Sequence, residues 1–156
     1  MVKKKITKKA EAIDLRLIDF FGRTFIPFAR FSIFLIFFWF GFIKLIGLSP
    51  AGPLAEALIA NTVGMQYFEV LFKLLAVIEC IIGLLFLIPR ATRTVIPLLL
   101  GHMLLVCTPL ILVPEYVWKS FLVPSLEGQY IIKNAVVIAV AIGIAASQKP
   151  LVKKAG

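Results

Sequence analysis

The sequence predicts an all-α fold, an integral membrane four-helix bundle preceded by an N-terminal interfacial amphipathic helix. Hydrophobic residues make up 61% of the 156 residues and the mean hydropathy is +1.02, whereas a soluble domain is about half apolar. The apolar residues fall in blocks of about 20, the length of a helix that crosses hydrocarbon. Most basic residues flank these blocks, as they do beside membrane helices. We therefore expect one compact membrane domain.

The predicted elements follow from the apolar blocks and their interruptions. A basic cytoplasmic tail and an interfacial helix are expected over residues 1–29, because apolar side chains recur there at helical spacing between charged ones. The transmembrane domain is expected over residues 30–148 and a second basic tail over residues 149–156. Residues 54–60 are expected to form a short interfacial helix and residues 114–129 a loop. The four predicted spans lie at about residues 31–48, 68–88, 95–113 and 130–147.

The distribution of Lys and Arg predicts the orientation of the spans. In a four-span arrangement the basic N-terminal segment, the turn with Arg90 and Arg93, and the C-terminal lysines all lie on one side. The opposite loops carry Lys119 together with three acidic residues, Glu56, Glu115 and Glu127. Cytoplasmic loops are the ones enriched in Lys and Arg. Both termini are therefore expected on the cytoplasmic side.

Several classes of function lack their sequence signals. The formal net charge is +9, but no aromatic and basic motif for nucleic acid accompanies it, so no nucleic-acid partner is expected. Cys80 and Cys107 lie in apolar segments without a CxxC pair, and His102 is the only histidine, so no metal site is expected. No catalytic constellation or cofactor motif is visible. We therefore expect no catalytic residues, no intrinsic catalytic activity and no cofactor held by the chain's own motifs.

Two ionisable residues are predicted to meet near the middle of the membrane. Counting about 1.5 Å per residue from the midpoint of each span, Glu79 lies within ~2 Å of the bilayer centre and His102 within ~3 Å. A carboxylate beside an imidazole could act as a buried acid/base pair that shares a proton. The alternative is a static contact that holds the second and third spans together.

Three lysines are predicted to share one depth on the outer side. Lys44, Lys73 and Lys133 lie ~7–8 Å from the midpoints of three different spans, and Glu69 precedes Lys73 at the favourable i, i+4 spacing. This predicts an outward-opening polar pocket lined by these lysines with Glu69 and Asn134. Such a pocket would suit an anionic or carbonyl-bearing ligand, such as a quinone headgroup, a lipid phosphate or a small oxyanion. The alternative is that the lysines extend to the outer interface.

Four ordered motifs carry a resemblance to a known family. Residues 39–45 give W-x-G-x-x-K-[LF], residues 79–89 give E-x-x-x-G-x-L-x-L-x-P, residues 108–110 give T-P-L, and residues 128–134 give G-x-x-x-[IL]-K-[ND]. In this order the motifs resemble the DoxX-like superfamily of small four-helix bacterial inner-membrane proteins, in the branch that includes a reactive-chlorine-resistance membrane protein. The matching residues are Trp39, Gly41, Lys44, Glu79, Gly83, Thr108, Pro109, Lys133 and Asn134.

The resemblance implies a location in the bacterial inner membrane and a role in a redox or oxidative-stress process. The chain would serve as a non-catalytic membrane subunit or as the binder of a quinone-like or lipid-like ligand, so a quinone or a bound lipid is the expected small molecule. One alternative is a small-solute or proton transporter that uses the buried charges. Another is a structural accessory subunit of a larger membrane complex. The expected partners are membrane lipids and other membrane-protein subunits or a second copy of the chain.

Overall fold

The computed structural model describes residues 8–150, and most of them are helical. The all-α prediction is confirmed for these residues apart from two very short strands. Residues 1–7 and 151–156, which belong to the predicted basic tails, lie outside the described part. The helices are α1 Lys8–Leu45, α2 Gly52–Ala60, α3 Phe68–Phe86, α4 Thr92–Cys107, α5 Pro109–Leu112, α6 Pro114–Val117 and α7 Leu126–Ala146. Single 3₁₀ turns at Met65–Tyr67 and Pro89–Ala91 precede α3 and α4.

The first helix differs from the sequence prediction. The interfacial helix expected within residues 1–29 is not a separate element but the first part of α1, which runs without interruption through Pro27. Proline removes one backbone donor and often bends or breaks a helix, but no turn-forming cluster stands near it to end this one. At about 1.5 Å per residue, the 38 residues of α1 extend about 57 Å. That length exceeds the roughly 30 Å of bilayer hydrocarbon.

The contact between α1 and α3 is close because two glycines lie in it. A Cβ atom added at Gly41 would stand 2.7 Å from the Ala76 carbonyl oxygen and 2.8 Å from Cys80 Sγ. A Cβ atom at Gly83 would stand 2.7 Å from the Phe38 backbone nitrogen. Real Cβ atoms do not approach so near, so both positions need the absence of a side chain. The two helices can therefore bring their backbones together, as small residues allow in membrane bundles.

The segment after α4 contains more structure than the expected loop. Within the predicted third span, α4 ends at Cys107 and the short α5 begins at Pro109, with Thr108 between them in helical conformation. Strands β1 (Trp118–Ser120) and β2 (Val123–Pro124) form an antiparallel ribbon within the expected loop. Ser125 then caps α7 by accepting a hydrogen bond from the Gly128 backbone nitrogen at 3.1 Å.

Side chains from α1, α3, α4 and α7 form the apolar core, so the four helices that contain the predicted spans surround one interior. The largest fully buried residues of this core include Ile33, Ile82, Phe86, Leu99 and Ile144. Large apolar side chains are also exposed on the outer faces of these helices, such as Leu104 at 75% and Val136 at 66% exposure. Apolar outer faces are expected where lipid replaces water.

Three helical segments of the described chain are long and apolar enough to cross a membrane, and this is consistent with a membrane protein. They are Lys8–Leu45, Pro89–Leu112 and Leu126–Ala146. Helix α3 is also strongly apolar over its 19 residues, but it contains Glu69, Lys73 and Glu79. Whether α3 can also cross a membrane depends on how these three charges are accommodated.

Candidate functional site

Lys44 and Glu79 form an ion pair in the interior of the helical bundle. The Lys44 ammonium on α1 donates a hydrogen bond to Glu79 Oε2 on α3 at 2.5 Å. The two side chains are only 9% and 8% exposed. Gly41 lies one turn before Lys44 and Gly83 one turn after Glu79, so the close backbone contact described above flanks the pair. The glycines therefore bring the two charged groups within reach of each other.

His102 extends this pair to a third helix. Its Nε2 atom on α4 lies 3.5 Å from Glu79 Oε1, and its side chain is 4% exposed. The Phe37 ring meets the imidazole edge-on at 5.6 Å between ring centres. The predicted proximity of Glu79 and His102 is thus present, whereas proton sharing between them stays a prediction. We call Lys44, Glu79 and His102 the interior triad.

Glu79 occupies the centre of the interior triad, with one carboxylate oxygen facing each partner. A carboxylate at this burial is tolerated because a cation neutralises it and polar groups contact both oxygens. With a neutral imidazole the interior triad has no net charge, and with a protonated one it carries a single positive charge.

Sequence reasoning missed Lys44 as the partner of Glu79. It assigned Lys44 to an outer pocket because its backbone was placed ~7–8 Å above the bilayer centre. A lysine side chain reaches about that far, and it can extend inward as well as outward. The available signal was the pair of glycines, each one turn from a charge on its own helix.

A cavity of about 290 Å³ lies beside Lys44 of the interior triad. Three of the residues predicted for the outer pocket line it, namely Lys44, Glu69 and Lys73. Glu56 of α2, which was not predicted, contributes a second acid. The rest of the lining includes Ser49, Phe68 and Phe72. We call this space the outer cavity.

The structure brings two of the three lysines predicted for the outer pocket, Lys44 and Lys73, to the outer cavity. Lys133 is exposed, with its ammonium 4.9 Å from the centre of the Tyr130 ring, and neither it nor Asn134 lines the outer cavity. Lys44 turns inward to Glu79, and Lys73 pairs with Glu69 at 3.3 Å on the exposed surface. Depth along the membrane was estimated from the sequence, but the direction of each side chain around its helix was not.

Arg30 is a second buried charge that sequence reasoning did not single out. It lies at the start of the predicted transmembrane domain and is only 7% exposed. Its guanidinium donates to the Phe86 carbonyl oxygen at 3.1 Å and to the Thr92 hydroxyl. These bonds tie α1 to the turn between α3 and α4, where terminal carbonyl groups need donors.

The motifs behind the family resemblance coincide in part with this site. Gly41, Lys44, Glu79 and Gly83 belong to two of the four motifs and meet at the contact between α1 and α3. A scan against models of protein families and searches of curated proteins and of solved structures find no match. Membership of the DoxX-like superfamily therefore stays a prediction from the motifs.

Proposed function

We propose that the chain is a DoxX-like protein of the bacterial inner membrane that binds a quinone-like headgroup and supports a redox or oxidative-stress process without catalysing a reaction itself. The observation that carries the proposal is that Lys44 belongs to the interior triad and also lines the outer cavity. One ammonium group is thus shared between the buried Glu79 carboxylate and a space that could hold a ligand.

Four spans with both termini in the cytoplasm are part of this proposal. Helix α3 contains three charged residues, which would be costly in a membrane if they were unpaired. Each of the three has a partner of opposite charge. Glu79 is neutralised by Lys44, while Glu69 and Lys73 pair with each other near the N-terminal end of the helix. Charged residues within spans face a bundle interior or a wet cavity and pair with one another. The charges of α3 therefore support its placement as the second span.

The lining of the outer cavity favours a neutral ligand that carries carbonyl groups. The positive charges of its two lysines are matched by the negative charges of Glu56 and Glu69. Lys44 is also paired with Glu79, which lies outside the cavity lining. An oxyanion or lipid phosphate would find no surplus of positive charge. The aromatic rings of Phe68 and Phe72 stack at 5.2 Å and offer an apolar wall. Apolar walls with a few placed donors are typical of small-molecule sites.

Lys44 is the residue expected to orient the ligand. An ammonium has three N–H donors, and one of them serves Glu79. A second can donate to a carbonyl oxygen in the outer cavity. Glu79 and His102 lie behind Lys44 and can hold a proton close to the bound group. A quinone would supply the electron-accepting chemistry, and the partner that reduces or oxidises it would be a separate protein.

Transport through the bundle is less well supported than binding. A transporter needs a polar path from one side to the other, but an apolar layer separates the interior triad from Arg30. On α4 this layer extends from Thr92 to His102, about 15 Å of helix. It is formed by Ile33 and Phe37 of α1, Ile82 and Phe86 of α3, and Val95 and Leu99 of α4.

Binding of a soluble quinone tests the proposal. The purified chain in lipid nanodiscs is titrated with ubiquinone-1, and binding is followed by calorimetry. Lys44→Met is expected to weaken binding about tenfold or more, because a hydrogen bond from a charged donor contributes about 1.5–3 kcal/mol. Lys133→Met removes an exposed lysine outside the outer cavity and is the matched control.

A second variant separates loss of the ligand contact from loss of folding. Lys44→Met combined with Glu79→Gln removes both charges, so no unpaired ion stays buried. This variant is expected to fold and to bind ubiquinone-1 as weakly as Lys44→Met. Wild-type affinity in the double variant would refute the site. Proton uptake by liposomes that contain the wild-type chain would instead favour transport.

A further inference from the structure

A second cavity, of about 570 Å³, lies beside Arg30 at the opposite end of the bundle from the outer cavity. Its walls are mainly apolar and include Ile26 and Phe31 of α1 and Leu87 of the turn between α3 and α4. Besides Arg30, its polar lining residues are Ser147 and Gln148, which follow α7. We call it the Arg30 cavity. Apolar walls beside a cation suit an amphipathic molecule with a negatively charged head.

The guanidinium of Arg30 is held in place but not saturated. It makes two hydrogen bonds, to the Phe86 carbonyl oxygen and to the Thr92 hydroxyl. The Thr92 hydroxyl in turn donates to the Pro89 carbonyl oxygen at 2.6 Å, which fixes its orientation. A guanidinium has five N–H donors, so three are left for another acceptor. An oriented guanidinium matches the oxygens of a phosphate group.

Positive charge is concentrated around the Arg30 cavity. Arg93 donates to the Lys149 carbonyl oxygen at 2.6 Å, which holds the segment after α7 beside the start of α4. Arg90 lies in the adjoining turn. The nearest acid along α1 is Asp19, about 16 Å away by helical rise, and it is paired with Arg23 at 3.0 Å. The electrostatic potential at the cavity therefore favours an anion.

We propose that the Arg30 cavity binds the phosphodiester headgroup of an anionic phospholipid, with part of an acyl chain against its apolar wall. The basic residues at this end place it at the cytoplasmic surface in the proposed orientation, where lipid phosphates lie and basic pockets between helices bind anionic lipids. A free phosphate would use the donors of Arg30 but not the apolar wall. The bound lipid closes the space between α1, the α3–α4 turn and the end of α7, and it holds these three segments together.

Native mass spectrometry of the full chain in detergent tests this proposal. Bound phosphatidylglycerol is counted against phosphatidylcholine at equal concentrations, and a parallel sample contains inorganic phosphate without lipid. Arg30→Gln is expected to weaken phosphatidylglycerol binding about tenfold or more, since a charge-assisted hydrogen bond is lost. Lys133→Gln removes one positive charge from an exposed position on α7 that lines neither cavity, and it is expected to retain binding.

Ser147→Trp gives an independent measurement that leaves Arg30 and its two bonds intact. The indole is expected to fill the Arg30 cavity and to exclude the lipid. If Arg30→Gln does not fold, lipid binding by Ser147→Trp is the measurement that tests the proposal. Equal binding of the two lipids, or wild-type binding of phosphatidylglycerol by Ser147→Trp, would overturn the proposal. Binding of inorganic phosphate as tight as that of phosphatidylglycerol would also overturn it, because the apolar wall would then contribute nothing.

Discussion

Glu79 determines how charge is arranged in the interior, because each of its carboxylate oxygens faces a partner on a different helix. A buried ion pair adds little net stability, since desolvation offsets most of the attraction. Removing one partner is another matter, because the remaining charge stays buried without compensation. Lys44 and Glu79 are therefore expected to depend on each other more than either contributes alone.

Lys44→Met is expected to destabilise the folded chain by about 3–5 kcal/mol, the usual effect of breaking a buried ion pair. Adding Glu79→Gln should restore most of that loss, because the double variant contains no buried unpaired ion. Thermal unfolding in detergent measures both, with Lys133→Met as the exposed control. Additive effects of the two single changes would show that the pair is not coupled.

At the scale of the elements, the contact between α1 and α3 sets the geometry of the site. Gly41 and Gly83 allow the backbones to meet, and this brings Lys44 to Glu79 across the contact. Glycine ordinarily weakens a helix by roughly 0.5–1 kcal/mol relative to alanine. These two glycines are therefore expected to be needed for packing rather than for backbone freedom.

Replacement of glycine by alanine is expected to have opposite effects at two positions. Gly83→Ala should destabilise the chain by about 1–3 kcal/mol, because the added methyl group would overlap the backbone of α1 at Phe38. Gly101→Ala on α4 meets open space and should stabilise it by roughly 0.5–1 kcal/mol. Thermal unfolding of both variants provides the comparison. Equal effects of the same sign would contradict the close contact.

The sequence predicted those features that depend only on how far along its own helix a residue lies. The depth of Glu79 and His102 was enough to predict their contact, because both lie on core-facing positions of neighbouring helices. Lys133 was assigned to the outer pocket from its estimated depth alone, whereas the structure shows it on the exposed face of α7. The ribbon of β1 and β2 could not be predicted from so few residues with no alternating pattern.

At the scale of the whole molecule, the proposed topology predicts which loops face the cytoplasm. Single cysteines are placed near Arg90 and near Glu56 in a chain whose own cysteines, Cys80 and Cys107, are replaced by alanine. A membrane-impermeant thiol reagent added to intact cells is expected to label the position near Glu56 and not the one near Arg90. The reverse labelling would invert the orientation, and labelling of both would contradict the number of spans.

The charges of α3 also have a consequence for biosynthesis. Helix α1 leaves the ribosome before α3, so in the proposed topology Lys44 is already available when Glu79 arrives at the translocon. Without that cation, a carboxylate at the centre of α3 would raise the cost of its insertion by roughly 2.5–3.5 kcal/mol. We expect that α3 integrates poorly in a chain that lacks α1 and efficiently in one that contains it, as read from a glycosylation site placed after α3. In the proposed four-span topology, the order of the helices along the chain lets the acidic helix enter the membrane after its counter-charge.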